Sequence, residues 1–165
     1  MSSKAWLSTG LDGGKIRCDA CLHFCVLADG EVGKCGVRAV KDGGLSLEVY
    51  GMVAAMNVDP IEKKPLYHFL PGSKILSVGT VGCNFSCSFC QNYEISQYPK
   101  EHDGAIKGSY LSPQELVKIA TDNDIPSIAF TYNEPAIYFE YAYDTMKLAK
   151  DAGLKTAFVA SGYES

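Results

Sequence analysis

The second half of the chain alternates short apolar runs with segments that repeat apolar residues every three or four positions. Apolar runs occupy residues 75–78, 127–131 and 155–160, and Gly79 follows the first of them. Runs of this length are typical of buried strands, and the segments between them have the period of amphipathic helices. The order strand, loop, helix, strand, helix, strand predicts an α/β fold with parallel strands joined by right-handed crossovers.

The two predicted helices have clear start and stop signals. Ser112 is placed as an N-cap, Pro113 as the first helical residue and Glu115 as the partner that completes a capping box. The next helix follows Pro135 and is expected to end just before Gly153, a residue type favoured beyond a helix C-cap. Both helices would turn one apolar face to the sheet.

The first half of the chain divides into two further regions. Residues 1–44 are rich in Cys and Gly and are predicted to form a small metal-binding module. Residues 45–73 begin with a short predicted strand, 45–50, and continue as a segment with three prolines that is expected to run extended. The predicted core then occupies residues 74–165.

Composition and charge exclude several function classes. The 165 residues are 47% apolar and carry a formal net charge of −4, and no cluster of Lys and Arg indicates a nucleic-acid-binding face. Lys63 and Lys64 are expected to be a solvated surface pair. No apolar run approaches the ~20 residues that span a bilayer, and residues 1–10 lack the pattern of a secretory signal. We therefore expect a cytoplasmic protein that binds neither nucleic acid nor a membrane.

Seven cysteines fall into two groups with a long gap between them. The groups are Cys18, Cys21, Cys25 and Cys35, and then Cys83, Cys87 and Cys90. An odd number of cysteines without a secretory signal argues against a disulfide framework. Closely spaced thiols in a reducing compartment favour metal binding, and the division into four and three leaves no cysteine over.

The second group has the spacing C-x3-C-x2-C directly after the first predicted strand. Three thiolates on one loop can hold three corners of a [4Fe–4S] cluster, which leaves the fourth iron open to a small molecule. Gly79 and Gly82 flank the loop and would let the backbone fold closely around the cluster. The alternatives are a structural zinc site, which usually has four ligands, and ordinary buried cysteines. The spacing favours the cluster.

The first group has the spacing C-x2-C-x3-C-x9-C. Four thiolates are enough to close a tetrahedral zinc site or to hold a second iron–sulfur cluster. His23 lies within the group, but the four cysteines already complete either site. Zinc and a second cluster both remain open, and reduced core thiols are the remaining alternative.

One acidic residue is placed to meet a ligand. Glu134 follows the second predicted strand and can accept a charge-assisted hydrogen bond from an ammonium group. Its alternative role is that of a carboxylate at a helix amino end, where the helix dipole favours it. Ligands gather at the carboxyl ends of parallel strands, so Glu134, the cysteine triplet and Ser161 are expected on one rim.

Several motifs resemble one family. The triplet, with the aromatic Phe89 before its last cysteine, resembles the radical S-adenosylmethionine (radical SAM) superfamily. Longer segments resemble the radical enzymes of the AmmeMemoRadiSam system, relatives of pyruvate formate-lyase activating enzymes, over about residues 16–163. These segments are CGVR at 35–38, DPIEKKPLYHF at 59–69, CQN at 90–92, EIS at 94–96 and TYNEP at 131–135. The chain departs from the family pattern at Leu22, where relatives have Pro, and at Ser161, where they often have Asn.

The resemblance implies a partial (β/α) radical-SAM barrel with an N-terminal Cys-rich metal-binding module. It implies a [4Fe–4S] cluster on the triplet, Phe89 near the adenine of S-adenosylmethionine, and Asn133 and Glu134 at the amino group of that cofactor. The implied reaction is reductive cleavage of S-adenosylmethionine to methionine and a 5′-deoxyadenosyl radical, which abstracts hydrogen from a protein or small-molecule substrate. A glycyl-radical enzyme is one candidate substrate, and a flavodoxin or ferredoxin is the implied reductant.

The length leaves the barrel incomplete. Enzymes of this type normally contain six or more strand–helix units, and the chain has room for about three after residue 74. The chain is therefore similar to the N-terminal portion of such an enzyme, and its open sheet edge is expected to pair with a complementary chain or a second copy. Two other function classes remain, namely an iron–sulfur electron-transfer protein and a zinc-stapled interaction module.

Overall fold

The computed structural model describes residues 3–165. Met1 and Ser2, which belong to the predicted amino-terminal module, lie outside the described residues. The strands are β1 (Ser3–Lys4), β2 (Ser8–Gly10), β3 (Ile16–Cys18), β4 (Val26–Leu27), β5 (Arg38–Lys41), β6 (Gly44–Leu47), β7 (Met52–Val53), β8 (Ala55–Pro60), β9 (Lys74–Gly79), β10 (Ser109–Tyr110), β11 (Ser127–Phe130) and β12 (Lys155–Phe158). The α-helices are α1 (Tyr93–Ser96), α2 (Tyr98–Glu101), α3 (Pro113–Asp122) and α4 (Phe139–Asp151), and 3-10 turns occupy Asp12–Gly14, Ile61–Lys63 and Pro135–Tyr138.

The largest sheet has the strand order β12-β11-β9-β8. Strands β9, β11 and β12 are parallel, with Ile128 opposite Leu76 on one side and Thr156 on the other, which confirms the predicted strand–helix alternation. Strand β8 is antiparallel to β9, and the prediction of an extended connection over this segment missed it. Only Asp59 of β8 is buried, so the strand lacks the continuous apolar run of its neighbours.

Helix α3 begins as predicted. The Ser112 hydroxyl accepts from the Glu115 backbone N–H, and the Glu115 carboxylate accepts from the Ser112 N–H. The next helix starts as a 3-10 turn at Pro135 before it continues as α4, and Gly153 follows it with a φ of 78°. The core against which these helices pack includes Leu116, Ala120, Ile128, Phe130, Ile137, Tyr141 and Ala149.

A second, smaller apolar cluster involves the segment that follows β8. Ile61 packs with Ile75 of β9 and Ala129 of β11, and Leu66 and Leu70 are partly buried against them. Pro60 is the last residue of β8, and Pro65 and Pro71 lie in the segment itself, which begins with a 3-10 turn where an extended chain was predicted. The segment nevertheless contributes buried side chains and is more than a surface connection.

The prediction of a solvated lysine pair is wrong for one of its members. The Lys63 side chain is exposed, but Lys64 is buried and forms a salt bridge of 3.0 Å with Asp59. A lysine tolerates such burial only when a charge partner offsets the lost hydration. The carboxylate on β8 supplies that partner.

The amino-terminal region forms two small antiparallel sheets, with strand orders β2-β3-β4 and β1-β6-β5. Cys18 is the last residue of β3, and Cys25 immediately precedes β4, so the first three cysteines lie at the end of one hairpin. Cys35 lies in the turn that precedes β5. Strand β6 ends at Leu47, three residues before the predicted end, because the chain then turns toward β7.

The four-stranded sheet is open, with β8 and β12 at its edges, and residues 3–165 form no closed barrel. The barrel therefore remains a prediction. Within the same residues, no helix combines the length and apolar character needed to cross a membrane.

Candidate functional site

The cysteine triplet lies on residues 80–92, which connect the carboxyl end of β9 to α1 and are called the cysteine loop below. Cys83 is buried, Cys90 is half-buried and Cys87 is exposed, and none of them forms a disulfide. The Cys90 backbone N–H donates to the Cys87 carbonyl at 3.2 Å, so the chain turns tightly between these residues. The three thiols therefore extend from the buried strand end to the exposed tip of the loop.

Asn133, just beyond β11, holds the first part of the cysteine loop. Its Nδ2 donates to the Gly82 carbonyl at 2.7 Å and to Thr80 Oγ1 at 3.1 Å, and its Oδ1 accepts from the Thr80 N–H at 3.3 Å. Both amide protons and the amide oxygen thus have partners within the chain. The structure assigns Asn133 a loop-holding role, and its contact with a cofactor remains a prediction.

Two glycines allow the cysteine loop to lie against its surroundings. A Cβ on Gly82, whose φ is +90°, would lie 2.5 Å from Val37 Cγ1 and 2.7 Å from the Cys35 carbonyl oxygen. A Cβ on Gly79 would lie 2.6 Å from the Thr131 carbonyl oxygen. These approaches are closer than any side chain permits, so both glycines are needed for the packing of the loop against its neighbours, and their predicted role in close folding around a cluster stays a prediction.

Residues of the α1–α2 region hold the middle of the cysteine loop. Gln97 Nε2 donates to the Phe85 carbonyl at 2.9 Å, and Lys100 Nζ donates to the same oxygen at 3.1 Å. Ser96 Oγ lies 3.4 Å from Cys90 Sγ. Because these contacts lie before and after the exposed tip, the loop is anchored on both sides of residues 86–89.

The donor set of the cysteine loop fits an iron–sulfur cluster. In the part of the chain that the structure describes, no three His, Cys, Asp or Glu side chains already converge on a metal-binding point. The loop nevertheless supplies three free thiols, the ligand type that these clusters take, on a backbone held at both ends. Burial raises the pKa of the Cys83 thiol, so binding of a metal there would release the proton that burial retains.

Phe89 lies at the tip of the cysteine loop and is 84% exposed. A flat aromatic face with this exposure is free to stack against another ring. Its predicted position beside an adenine is therefore sterically open, and it stays a prediction.

Glu134 joins the carboxyl ends of β11 and β12. Its Oε2 accepts from the Ser161 N–H at 2.9 Å and from the Ser161 hydroxyl at 2.6 Å, and its Oε1 accepts from the Ala136 N–H at 3.4 Å. The last contact is the helix-end role that the sequence offered as an alternative. Ser161, which departs from the family pattern, is thereby tied to the same rim.

A buried carboxylate that the sequence did not single out organises the neighbouring part of the sheet. Asp59 accepts from Lys63 Nζ at 2.9 Å, from Lys64 Nζ at 3.0 Å and from Ser77 Oγ at 2.9 Å. Burial alone would raise the pKa of Asp59, but these hydrogen bonds outweigh it and lower the pKa to about 2. The DPIEKKPLYHF motif contains three of these residues and was the only sequence signal for them.

Tyr132 connects the Asp59 network to the far end of the cysteine loop. Its hydroxyl lies 3.4 Å from Asp59 Oδ2, and its carbonyl accepts from Asn92 Nδ2 at 2.8 Å. Its φ of 73° lies in the left-handed region, which a bulky residue rarely adopts. The unusual backbone conformation places the carbonyl toward the loop and the ring toward the network, where Lys64 Nζ lies 5.0 Å from the ring centroid.

The four amino-terminal cysteines also come together. Cys18, Cys21, Cys25 and Cys35 line one small cavity of about 10 Å³, and all four are free of disulfides. The cavity lies between two hairpin ends, one between β3 and β4 and the other between the bridged residues Val32 and Ala39. Burial raises the pKa of the Cys35 thiol to about 11. The four cysteines thus border one cavity but, like those of the cysteine loop, do not already converge on a metal-binding point, and their metal site stays a prediction.

Comparisons with known proteins give two matches. The family model described as "Radical SAM superfamily" matches residues 77–165, which include the cysteine loop, Asn133 and Glu134. An uncharacterized protein of Methanocaldococcus jannaschii is 40% identical over 153 residues, which are 93% of this chain and 45% of that protein. The chain thus spans less than half the length of this curated relative. No solved structure matches.

Proposed function

The chain belongs to the radical SAM superfamily, and on that premise we propose that it carries a [4Fe–4S] cluster on Cys83, Cys87 and Cys90 and uses it on S-adenosylmethionine. The observation that carries this proposal is the position of three free thiols on one anchored loop at the carboxyl end of a parallel strand. That end of a parallel sheet is where ligands bind in α/β folds.

When bound, such a cluster supplies the electron that cleaves S-adenosylmethionine to methionine and a 5′-deoxyadenosyl radical, which abstracts hydrogen from a substrate. The residues of the chain position these partners. Asn133 fixes the start of the cysteine loop, so that Cys83 leaves the sheet in one orientation. Gln97 and Lys100 fix the Phe85 carbonyl, which limits movement of the exposed tip that carries Cys87.

Glu134 is the residue proposed to accept a hydrogen bond from the amino group of the cofactor. It is buried, and Ser161 already orients its carboxylate through Oε2. An oriented carboxylate at a strand end loses little freedom when it accepts a further charge-assisted hydrogen bond. Phe89, at the loop tip, is proposed to pack against the adenine ring.

The finer assignment follows from the sequence motifs. Residues 59–69 and 131–135 resemble radical enzymes of the AmmeMemoRadiSam system, which are related to pyruvate formate-lyase activating enzymes. We therefore propose a flavodoxin or ferredoxin as reductant, and a glycyl-radical protein as one candidate substrate. Because the relative is more than twice as long as the matched region, further strand–helix units or a complementary chain are proposed to complete the site.

The test is the electron paramagnetic resonance spectrum of anaerobically reconstituted and reduced protein, with and without S-adenosylmethionine. A cubane signal that shifts when the cofactor is added supports the proposal, and Cys87→Ser, which removes an exposed thiol, is expected to lose the signal. A cubane signal that ignores the cofactor would instead support an iron–sulfur electron carrier. Absence of iron after reconstitution would overturn both functions.

A further inference from the structure

We propose that Cys18, Cys21, Cys25 and Cys35 bind a single Zn²⁺ ion, and that this ion fixes the wall against which the cysteine loop is held. The ion-binding part stands independently of the proposed function. The loop-holding part rests on the proposed function, because it gives the ion a role in positioning the triplet.

The four thiols come from the ends of two hairpins, so they can approach one ion from two sides. The Cys18 N–H donates to the Cys25 carbonyl at 2.8 Å, and the Phe24 N–H donates to the Cys21 carbonyl at 3.1 Å, which folds the first three cysteines into one turn. Cys35 enters from the second hairpin end. The two ends touch, since a Cβ on Gly33 would lie 3.7 Å from Cys25 Sγ.

The space between these hairpin ends fits one ion. The cavity that the four cysteines line has a volume of about 10 Å³, close to the smallest that admits one water-sized sphere. A [4Fe–4S] cluster contains eight atoms and needs more room than a single ion, so the small volume favours the ion. The four thiols line the cavity without already converging on one point, so an ion would draw them together, and four thiolates are a usual ligand set for structural zinc.

The surroundings suit a negatively charged thiolate site. Four thiolates around a divalent cation carry a net negative charge, which burial makes costly unless donors or cations surround it. Arg38 and Lys34 line the same cavity. Asn84 also lines it and is only 6% exposed, yet its Nδ2 has no hydrogen-bond partner. A buried amide N–H without a partner lowers the stability of the fold. A metal-bound sulfur could accept a hydrogen bond from it.

The walls of this cavity are bonded directly to the cysteine loop. The Cys83 N–H donates to the Cys35 carbonyl at 3.2 Å. His23 Nε2 lies 3.0 Å from the Asn84 carbonyl oxygen, so the histidine inside the cysteine group contacts the loop. Gly82 lies against Val37 and the Cys35 carbonyl. An ion that orders Cys35 and the residues near Cys21 would therefore also order the backbone from which Cys83 projects.

Metal content tests the ion-binding part. The full chain is produced with zinc present and purified anaerobically, and its zinc and iron are measured before and after iron–sulfur reconstitution. We expect one zinc per chain in the wild type and in the matched control Cys87→Ser, and loss of zinc in Cys21→Ser. Reconstitution should add about four irons per chain to the wild type with the zinc retained.

Other outcomes of the same measurement overturn the ion-binding part. Zinc that is displaced by about eight irons would show that the quartet holds a second cluster. No zinc together with four alkylatable thiols, or with disulfides among them, would show that the quartet is not a metal site. Because Cys21→Ser also places a polar group at a buried position, Cys25→His is a second variant, which is expected to keep zinc in a Cys₃His site.

Hydrogen exchange tests the loop-holding part. A chelator should remove the zinc from the wild-type chain, after which the amides of residues 81–86 should exchange faster, and restored zinc should reverse the change. Helix α3 (Pro113–Asp122) is the internal control and should not respond. Unchanged exchange in residues 81–86 would overturn the positioning role. Zinc retained in a chain whose cluster ignores S-adenosylmethionine would contradict the proposed function and leave the zinc site standing.

Discussion

The side-chain amide of Asn133 donates a hydrogen bond of 2.7 Å to the backbone carbonyl of Gly82. The bond joins the end of one parallel strand to the loop that leaves the neighbouring strand. Both partners are buried, and Gly82 is also in close contact with the amino-terminal region through Cys35 and Val37. The start of the cysteine loop is thus fixed from two sides, by the core sheet and by the amino-terminal hairpins.

Asn133→Asp should weaken both stability and cluster loading. The substitution replaces the donating Nδ2 with an oxygen that faces the Gly82 carbonyl and Thr80 Oγ1, and we expect a loss of about 2 to 3 kcal/mol in the free energy of unfolding. Urea unfolding and iron content after reconstitution measure the two effects. Gln114→Glu, which makes the same amide-to-carboxylate change at an exposed position of α3, is the matched control and should lower neither value. Equal behaviour of the two variants would contradict the loop-holding role.

Gly82→Ala should lower the free energy of unfolding more than Gly→Ala at another glycine with a similar positive φ. The new Cβ would overlap Val37 Cγ1 and the Cys35 carbonyl in addition to the strain of a positive φ, and we expect a cost of about 3 kcal/mol or more. Gly104→Ala is the control, because Gly104 has a φ of +78° and nothing within 4 Å of the added atom. It should lose about 1 kcal/mol. Thermal or urea unfolding of both variants gives the comparison.

Glu140→Gln should destabilise the chain strongly. Arg38 is 1% exposed, donates through both terminal nitrogens to the Glu140 carboxylate, and donates through Nε to the Ile137 carbonyl at 2.7 Å. Removal of the carboxylate charge leaves a buried guanidinium without its counterion, at a cost of about 3 to 5 kcal/mol.

A surface ion pair provides the control for this prediction. Lys118 and Asp122 form an exposed pair on α3 at 2.6 Å, and Asp122→Asn should change the free energy of unfolding by about 0.5 kcal/mol or less. Denaturant unfolding of both variants makes the measurement. A small effect of Glu140→Gln would mean that Arg38 finds other compensation.

Acid should selectively remove the contribution of Asp59 to stability. Its folded-state pKa of about 2 lies below the unfolded value of about 3.9, so its stabilising contribution is complete above the unfolded pKa and declines as the pH falls toward 2. The contribution at neutral pH amounts to about 2 kcal/mol. The difference in unfolding free energy between the wild type and Asp59→Asn should therefore shrink between about pH 4 and pH 2. A difference that stays constant over that range would show that the Asp59 hydrogen bonds do not depend on its charge.

Glu134→Gln should weaken binding of S-adenosylmethionine by about tenfold or more while the iron content stays unchanged, because the charge of the acceptor is lost. The concentration dependence of the cofactor-induced spectral shift measures this affinity. Glu94→Gln, an exposed residue after the cysteine loop, is the control and should bind as the wild type does. A parallel Ser161→Ala variant separates the roles, since a Glu134 that contacts the cofactor should cost more affinity when it is replaced than Ser161, which only orients it. Equal losses in the two variants would contradict the direct contact.

Local signals predicted much of the core. Ser112, Pro113 and Glu115 define the start of α3 through contacts between residues close in sequence, and the apolar runs that form β9 and β11 report burial directly. The run that forms β12 predicted a buried strand, but β12 lies at the sheet edge and is at most partly buried. The cysteine spacing likewise defines a loop with three thiols. Such features are readable because each depends on residues that are neighbours along the chain.

Strand β8 and the buried Lys64 show where local signals fail. A single edge strand with one buried residue has no distinctive period, and a lysine indicates exposure unless its partner is known. That partner, Asp59, becomes significant only through Ser77, which lies on the adjacent strand. The unpartnered donor of Asn84 is also invisible in the sequence, because its environment comes from a hairpin about sixty residues earlier.

The sequence by itself determined the strand–helix order, the helix caps and the two groups of thiols, since these depend on short-range geometry and on residue chemistry. The tertiary structure alone decided that Asn133 binds the cysteine loop and that Glu134 is oriented by Ser161. It also placed the four-cysteine cavity against the backbone of Cys83. These relationships join residues that are far apart in sequence, and packing of the sheet and hairpins is what brings them within hydrogen-bond distance.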